Sequence, residues 1–295
     1  MKALMYHDIR DYNNTKYISR LKLKSFMTVD EFREQIKYIS KNYKIISTRD
    51  IPNQLELEDK CAVLTFDDGL LDHYHVAEIL SDMNITGTFL IPTQSVRDRI
   101  VIKSHKIQFI LASIDEKELV QRILSTTPCY ISNTYLWNKY STSKWKNNWW
   151  SPEMVFTTNI LRQYDTDNSI TNKLFAKIVT EDEEDFCNDL YLNESQIHNI
   201  VEAGHDIGSH GYSSEGLTTV GNQEYDISES LKYVRKFCDK DLICSYPNGV
   251  YNKDTIELMG KHGCKYAYTT IKNIIDKDTS MLEIPRYDAP QDIKI

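Results

Sequence analysis

The run from Cys61 to Gly69, CAVLTFDDG, most constrains how this chain can fold. Its first five residues are mostly apolar and predict a short buried strand. The strand leads directly into Asp67 and Asp68, and Gly69 allows the chain to turn. At the carboxyl end of a parallel strand, one of two adjacent carboxylates can bind a divalent metal ion while the other acts as a general base. The alternative is an ordinary turn, because Asp-Gly is a common turn dipeptide.

Strand patterns and helix patterns alternate on both sides of a central segment. A further strand is expected at 2–6, before the helix that begins after Thr28. The alternation predicts an α/β fold with a parallel sheet. The remaining predicted strands are 61–65, 87–91, 206–208, 243–245 and 265–269. Between about 96 and 192 no such strand pattern occurs, so we expect one domain over 1–295 with a large, mainly helical insertion there.

The insertion is rich in aromatic residues. It contains all the tryptophans of the chain, which are Trp137, Trp145, Trp149 and Trp150. Clustered aromatic rings can stack on the apolar faces of sugars, and inserted segments often form lids. They can equally fill the small core that an insertion needs for its own stability. The sequence leaves both interpretations open.

Composition narrows the possible partners and the compartment. The chain has 295 residues, and its net charge of −8 argues against nucleic acid or an anionic membrane as a direct partner. No stretch approaches the ~20 apolar residues that span a bilayer, and no export signal is visible at the start. The six cysteines form no Cys-x-x-Cys pair, which is typical of buried thiols in a reducing compartment. We therefore expect a cytoplasmic protein; the sequence indicates no oligomeric state.

The segment Thr65-Phe66-Asp67-Asp68-Gly69 resembles the first motif of the polysaccharide deacetylase family, the NodB-homology carbohydrate esterases. The resemblance implies a distorted parallel (β/α) barrel and metal-dependent removal of an acyl group from a sugar. It also implies that Asp67 is the catalytic base and Asp68 a metal ligand. The expected cofactor is a divalent metal ion, zinc in the first instance.

The segment 208–217, GSHGYSSEGL, resembles the second motif of the same family, which implies that His210 is a metal ligand. The family's second histidine is missing, because Ser214 occupies its position. Neutral serine is a poor ligand for a divalent ion. Catalytic zinc usually has three protein ligands, so water, Glu215 or His7 is left to complete the site.

The segment Tyr246-Pro247-Asn248-Gly249 resembles the third motif, in which the backbone N–H after the proline helps to hold the oxyanion. The matching residue is Asn248. Many members carry an arginine where this chain has Ser245, so the base must be oriented by another group. Arg286 resembles the Pro-Arg ending of some relatives and is the candidate for that role; a surface salt bridge is the alternative. The late Leu-x-x-His motif that supplies a catalytic acid is not visible.

Two functions from different classes follow from this resemblance. The first is a metal-dependent hydrolase that removes an acetyl or formyl group from an amino sugar linked to a nucleotide, lipid or oligosaccharide. The missing export signal favours cytoplasmic surface-polysaccharide or lipopolysaccharide biosynthesis. The second is a catalytically weak or inactive relative that binds a carbohydrate or a partner protein. Loss of the second histidine favours the second function, whereas the retained Asp67 and Asp68 favour the first.

Overall fold

The computed structural model describes residues 1–11, 23, 26–57, 60–127, 130–142, 150–179 and 182–293. The chain forms two compact units. The first comprises Met1–Thr15, Ser25–Ile100 and Glu184–Ile295, and the second comprises Lys16–Lys24 and Val101–Glu183. Apart from Lys16–Lys24, the second unit lies inside the interval of about 96–192 that the sequence assigns to an insertion. One domain with an insertion stays a prediction.

A parallel sheet forms the centre of the first unit. The described strands are β1 Lys2–Tyr6, β2 Asp8–Ile9, β3 Phe26–Met27, β4 Lys44–Ile45, β5 Cys61–Phe66, β6 Thr88–Ile91, β7 Asp206–Ser209, β8 Leu242–Ser245, β9 Cys264–Tyr268 and β10 Tyr287–Asp288. The order in the sheet is β10-β1-β5-β6-β7-β8-β9, with β4 on β5, while β2 and β3 pair separately. Every pairing between these strands is parallel.

A short segment near the C-terminus contacts both ends of the sheet. Ile284 forms a parallel bridge with Tyr268 of β9. A few residues later, β10 pairs with β1 through Leu4 and Tyr287. The segment that contains β10 thereby connects β1 with β9, the last strand on the other side of the sheet, as in a distorted (β/α) barrel. The predicted fold class is confirmed.

The described helices are α1 Val29–Asn42, α2 Ile51–Leu57, α3 Asp72–Asp82, α4 Thr93–Arg97, α5 Lys103–Ser113, α6 Glu116–Thr126, α7 Asn133–Tyr140, α8 Pro152–Gln163, α9 Ser169–Phe175, α10 Glu183–Leu190, α11 Glu194–Glu202, α12 Gln223–Val234, α13 Lys253–Lys261 and α14 Ala289–Asp292. Their starts follow local chemistry. Thr28 accepts a hydrogen bond from the Glu31 backbone N–H, and the Glu31 carboxylate accepts one from the Thr28 N–H, which is a capping box. No described helix is long and apolar enough to cross a membrane.

Stacked aromatic rings connect the three adjacent strands β1, β5 and β6. Tyr6, Phe66 and Phe89 are register partners on β1, β5 and β6. The Phe66 ring stacks on Tyr6 at 5.2 Å and on Phe89 at 4.8 Å between centroids. All three side chains are fully buried. Because Phe66 directly precedes Asp67, this packing holds the backbone from which the two carboxylates emerge.

The described part of the second unit contains helices α5 to α9. The Trp137 ring stacks on buried Phe156 at 5.2 Å, which agrees with the small-core interpretation for this tryptophan. Tyr130 and Tyr135 are instead exposed. The predicted aromatic cluster also includes Trp145 and Trp149, which lie outside the described residues.

Candidate active site

The predicted site residues lie at the carboxyl edge of the parallel sheet. Asp67 follows β5, and its backbone N–H donates to Tyr6 O at the end of β1 at 3.0 Å. His210 follows β7, and its N–H donates to Ile91 O at the end of β6 at 2.8 Å. These hydrogen bonds continue the parallel ladders beyond the strands, so Asp67 and His210 emerge at the same edge.

Asp67 and Arg286 form a two-point ion pair inside the protein. Arg286 Nη1 donates to Asp67 Oδ1 at 2.7 Å, and Nη2 donates to Oδ2 at 2.8 Å. Two further donations fix the guanidinium, from Nε to Thr269 O at 2.9 Å and from Nη1 to Thr65 Oγ1 at 3.1 Å. The Arg286 side chain is 0% exposed and that of Asp67 2%, so the alternative of a surface salt bridge is wrong.

The ion pair decides the charge state of Asp67. Burial would by itself raise the pKa of this carboxyl, because a charged group loses its hydration. The charge and the hydrogen bonds of the Arg286 guanidinium, together with smaller contributions from nearby groups, outweigh burial and hold the pKa of Asp67 below its ordinary value. Asp67 is therefore a carboxylate at neutral pH and can accept a hydrogen bond or a proton.

Asp68 and Gly69 make the turn that follows β5. Both have positive φ, 77° at Asp68 and 57° at Gly69. A Cβ at Gly69 would lie 2.5 Å from Ile91 Cγ2, so glycine is required by both conformation and space. The turn directs Asp67 and Asp68 differently: Asp67 pairs with Arg286, whereas the Asp68 carboxylate faces His210.

The Asp68 and His210 side chains have the spacing of two ligands of one metal ion. Asp68 Oδ1 lies 3.5 Å from His210 Nε2. Two ligand atoms each about 2.1 Å from a tetrahedral zinc ion are about 3.4 Å apart. Burial lowers the pKa of His210 despite the two nearby aspartates, which favours the neutral imidazole that a metal ion requires. These two residues fit a divalent metal ion.

The residues considered as further ligands do not complete a three-residue site. Ser214 is buried, with a positive φ of 59°, at the position of the family's second histidine. Within the described ranges, no group of three or more His, Cys, Asp or Glu side chains is arranged to hold a metal ion. Neither His7 nor Glu215 therefore joins Asp68 and His210 in such a group.

Asn248 occupies a turn beside the segment that carries His210. It has a positive φ of 56° and lies in a short 3-10 helix, Pro247–Gly249, directly after β8. Its side-chain amide makes a long contact of 3.5 Å with Ser214 O. The role of its backbone N–H as an oxyanion contact stays a prediction.

Two histidines lie beside the carboxylates. His7 follows β1 at the same edge, within electrostatic range of Asp67, His210 and Asp288. His73 is fully buried, and its Nε2 donates to the His7 carbonyl at 2.9 Å. Burial lowers the pKa of His73 to about 4, so its ring is neutral near pH 7.

The sequence did not indicate several of these contacts. His73 lies in a run, DHYH, that reads only as the start of a helix. Ser245 was noted for the arginine it replaces, yet its hydroxyl contacts His210. His205 lies before β7, at the opposite edge of the sheet, and its Nδ1 accepts a hydrogen bond from the Gly87 backbone N–H at 3.1 Å.

Comparison with known proteins agrees with this geometry. A family model described as polysaccharide deacetylase matches residues 54–267. The peptidoglycan deacetylase of Helicobacter pylori is 38% identical over 85 residues, which are 26% of this chain and 28% of that protein. The similarity therefore spans little more than a quarter of this relative's length.

Similar solved structures cover nearly the whole chain. The Streptococcus pyogenes deacetylase PplD, solved in complex with acetate, has a TM-score of 0.58 and 15% identity, with 98% of this chain and 91% of that chain covered. IcaB from Ammonifex degensii has a TM-score of 0.57 and 14% identity, with 99% and 92% covered. At this identity the likeness supports the fold. From the match over 54–267, the chain belongs to the polysaccharide deacetylase family, whose members are hydrolases acting on carbon–nitrogen bonds other than peptide bonds.

Proposed function

We propose that this protein removes an N-acetyl or N-formyl group from an amino sugar with the help of a divalent metal ion, zinc in the first instance. One observation carries the proposal. A buried carboxylate held by a guanidinium, Asp67 with Arg286, stands next to a second carboxylate that faces an imidazole at ligand spacing. The first group suits a general base and the second pair suits metal binding, as the family resemblance implies.

Each residue has a separable role in the reaction. Asp67 takes a proton from the attacking water, whose oxygen forms a bond to the acyl carbon. The carbon–nitrogen bond then breaks, and the amine leaves with the proton that Asp67 took up. Asp68 and His210 would hold the metal ion, which supplies Lewis acidity towards the acyl oxygen and the water. The Asn248 N–H donates to the negative charge that develops on the acyl oxygen. Arg286 orients Asp67 and keeps it ionised.

The ion pair sets a limit on the basicity of Asp67. A carboxylate whose pKa lies below its ordinary value is a weak base in water. It suffices only if the water has become more acidic, which is the effect of a nearby divalent cation. The low pKa of Asp67 is thus consistent with a reaction that requires a metal ion.

The substrate and compartment are further parts of the proposal. We assign the acyl group to an amino sugar on a nucleotide, a lipid or an oligosaccharide, in cytoplasmic surface-polysaccharide or lipopolysaccharide synthesis. The described cysteines form no disulfide, as a reducing compartment favours. The net charge of −8 supports a small or glycan substrate and no nucleic acid.

One observation favours a second candidate function. Because Asp68 and His210 are not joined by a third His, Cys, Asp or Glu among the described residues, metal affinity should be weaker than at a three-ligand site. A protein that loses its metal in the cell would bind an acylated glycan or a partner protein without turning it over.

Release of acetate or formate tests the two candidates. The purified protein is supplied with zinc, cobalt or nickel and incubated with N-acylated amino-sugar nucleotides and N-acetylated oligosaccharides. We expect Asp67→Asn to lower turnover by about 10²–10⁴-fold, the usual contribution of a positioned base, while zinc binding persists. Asp68→Asn should weaken zinc binding and turnover together. Asp82→Asn, at an exposed aspartate that ends α3, is the matched control.

Asp67→Asn leaves the Arg286 guanidinium buried without its carboxylate, so its folded fraction is measured by circular dichroism in parallel. If the wild type releases no acid from any of these substrates with any of the metals, hydrolysis is the wrong function. If Asp67→Asn is folded and as active as the wild type, Asp67 is not the base.

A further inference from the structure

The hydroxyl of Ser245 contacts the candidate metal ligand His210 from the side opposite Asp68. Ser245 Oγ lies 2.6 Å from His210 Nδ1. Ser245 is 0% exposed and His210 5%, so water does not compete for the contact. This short hydrogen bond has no part in the reaction as derived above.

The sheet brings the two residues together. Ser209 of β7 and Cys244 of β8 are register partners, so the next residues along each chain, His210 and Ser245, are also neighbours. Side chains at matching positions of adjacent parallel strands lie on the same face. The hydrogen bond therefore depends on the pairing of β7 with β8.

The contact fixes the orientation of the imidazole ring. With Nδ1 held by Ser245, the ring cannot rotate without breaking a buried hydrogen bond, and Nε2 stays 3.5 Å from Asp68 Oδ1. Ligating histidines commonly hold their second ring nitrogen in this way, which orients the ring for the metal ion.

A hydroxyl differs from the usual partners of a ligating histidine. A carboxylate or a backbone carbonyl can only accept, so it requires a proton on Nδ1, whereas a serine hydroxyl can donate or accept. With the proton on Nε2, His210 would present it to the Asp68 carboxylate and Ser245 would donate to Nδ1. A bound metal ion would need the lone pair of Nε2, and the ring proton would then be on Nδ1 and donated to Ser245 Oγ.

We propose that Ser245 is a positioning residue that holds His210 in both neutral tautomers, so that the site accepts and releases a divalent metal ion without turning the ring. The proposal rests on the proposed function, in which His210 binds the metal ion. It adds a residue that touches neither metal nor substrate and acts through His210 alone.

Nuclear magnetic resonance of the imidazole nitrogens tests the proposal without any activity measurement. Protein labelled with ¹⁵N in histidine is prepared without metal and titrated with zinc. We expect the His210 signals to change from the tautomer protonated on Nε2 to the one protonated on Nδ1. Isothermal calorimetry on the same samples gives the affinity for zinc.

Three variants separate positioning from a general loss of packing. Ser245→Ala should lower zinc affinity by about 10- to 100-fold, the usual effect of removing a partner of a ligating histidine. Ser245→Thr keeps the hydroxyl and should restore most of that affinity. Ser230→Ala removes another fully buried hydroxyl, which donates to Ile227 O within α12, and should leave zinc binding unchanged.

The outcomes distinguish this proposal from the proposed function. Ser245→Ala that is folded and binds zinc as tightly as the wild type overturns the positioning role, whatever the activity. His210 signals that do not respond to zinc in the wild type overturn it as well. If zinc binding and the tautomer change occur as expected but no acyl group is released from any substrate, the inference on Ser245 stands and the proposed hydrolysis fails.

Discussion

Replacing Arg286 by methionine should destabilise the first unit strongly, because it strips the cation from the buried Asp67 carboxylate. Methionine keeps much of the apolar volume of the arginine stem, so the change is mainly one of charge and hydrogen bonding. Removing one partner of a buried ion pair costs about 3–5 kcal/mol. Proteins of ordinary stability unfold with about 5–15 kcal/mol, so this is a large fraction of the total.

A second substitution in the same background separates the buried charge from the other contacts of Arg286. Arg286→Met with Asp67→Asn contains no unpaired charge at this position. It still lacks the hydrogen bonds from Arg286 to Thr269 O and Thr65 Oγ1, each of which contributes about 1 kcal/mol. We therefore expect the double variant to be more stable than Arg286→Met alone by about 1–3 kcal/mol, although it carries one more substitution.

The stability that Arg286→Met loses should also depend on pH, in a direction that follows from the pKa of Asp67. In the wild type the pKa of Asp67 is depressed, so the pair contributes stability that is present above the ordinary aspartate pKa and is lost as pH falls through the folded-state pKa. In Arg286→Met the guanidinium no longer offsets burial, so the pKa of Asp67 rises and the folded protein binds a proton more readily than the unfolded chain. The difference in the free energy of unfolding between the wild type and Arg286→Met should decrease as pH falls from 7 towards about 4.

Urea unfolding followed by circular dichroism measures these differences. Arg235→Met, at an exposed arginine that follows α12, is the control for a lost surface charge and should change stability little. A cost below about 1 kcal/mol for Arg286→Met, or a double variant no more stable than the single one, would refute the argument from the buried pair.

Two further predictions follow from the same edge of the sheet. Gly69→Ala should lower stability by about 2–4 kcal/mol in urea unfolding, because alanine meets both the positive φ and Ile91; unchanged stability would show that the turn can relax. Through His73, the free energy of unfolding should fall by about 3 kcal/mol as pH falls from 6.5 towards about 4, because only the unfolded chain readily binds a proton at this residue in that range. In His73→Phe the free energy of unfolding should vary less with pH over this range. An equally steep pH dependence in the variant would contradict the role given to His73.

The main features of the fold could be predicted because they depend on local patterns. A buried strand followed by Asp67 and Asp68, and a second one followed by His210, are visible as apolar runs with polar residues at their ends. Parallel strands place their carboxyl ends at one edge, so the order of strand and helix patterns suffices to bring these residues together. Helix starts such as Thr28 with Glu31 are equally local, since the partners are three residues apart.

The surroundings of those residues depend on partners far away in the chain. Arg286 lies 219 residues from Asp67, and Ser245 lies 35 residues from His210. The resemblance identified Arg286 as a candidate partner of the base. It could not distinguish a buried ion pair with Asp67 from a surface salt bridge, because burial is a property of the assembled sheet. Of Ser245, the resemblance indicated only that it stands where many members of the family carry an arginine.

The sequence by itself therefore determined which carboxylates and which imidazole belong to the site, and at which edge of the sheet they meet. Residue type and the order of strand patterns can both be read from local sequence. Only the tertiary structure decided that Arg286 reaches Asp67 from the segment that connects β1 with β9. It likewise decided that β7 and β8 pair in the register that sets Ser245 against His210. Hydrogen-bond partners of this kind are selected by which strands become neighbours, and that follows from packing the whole core at once.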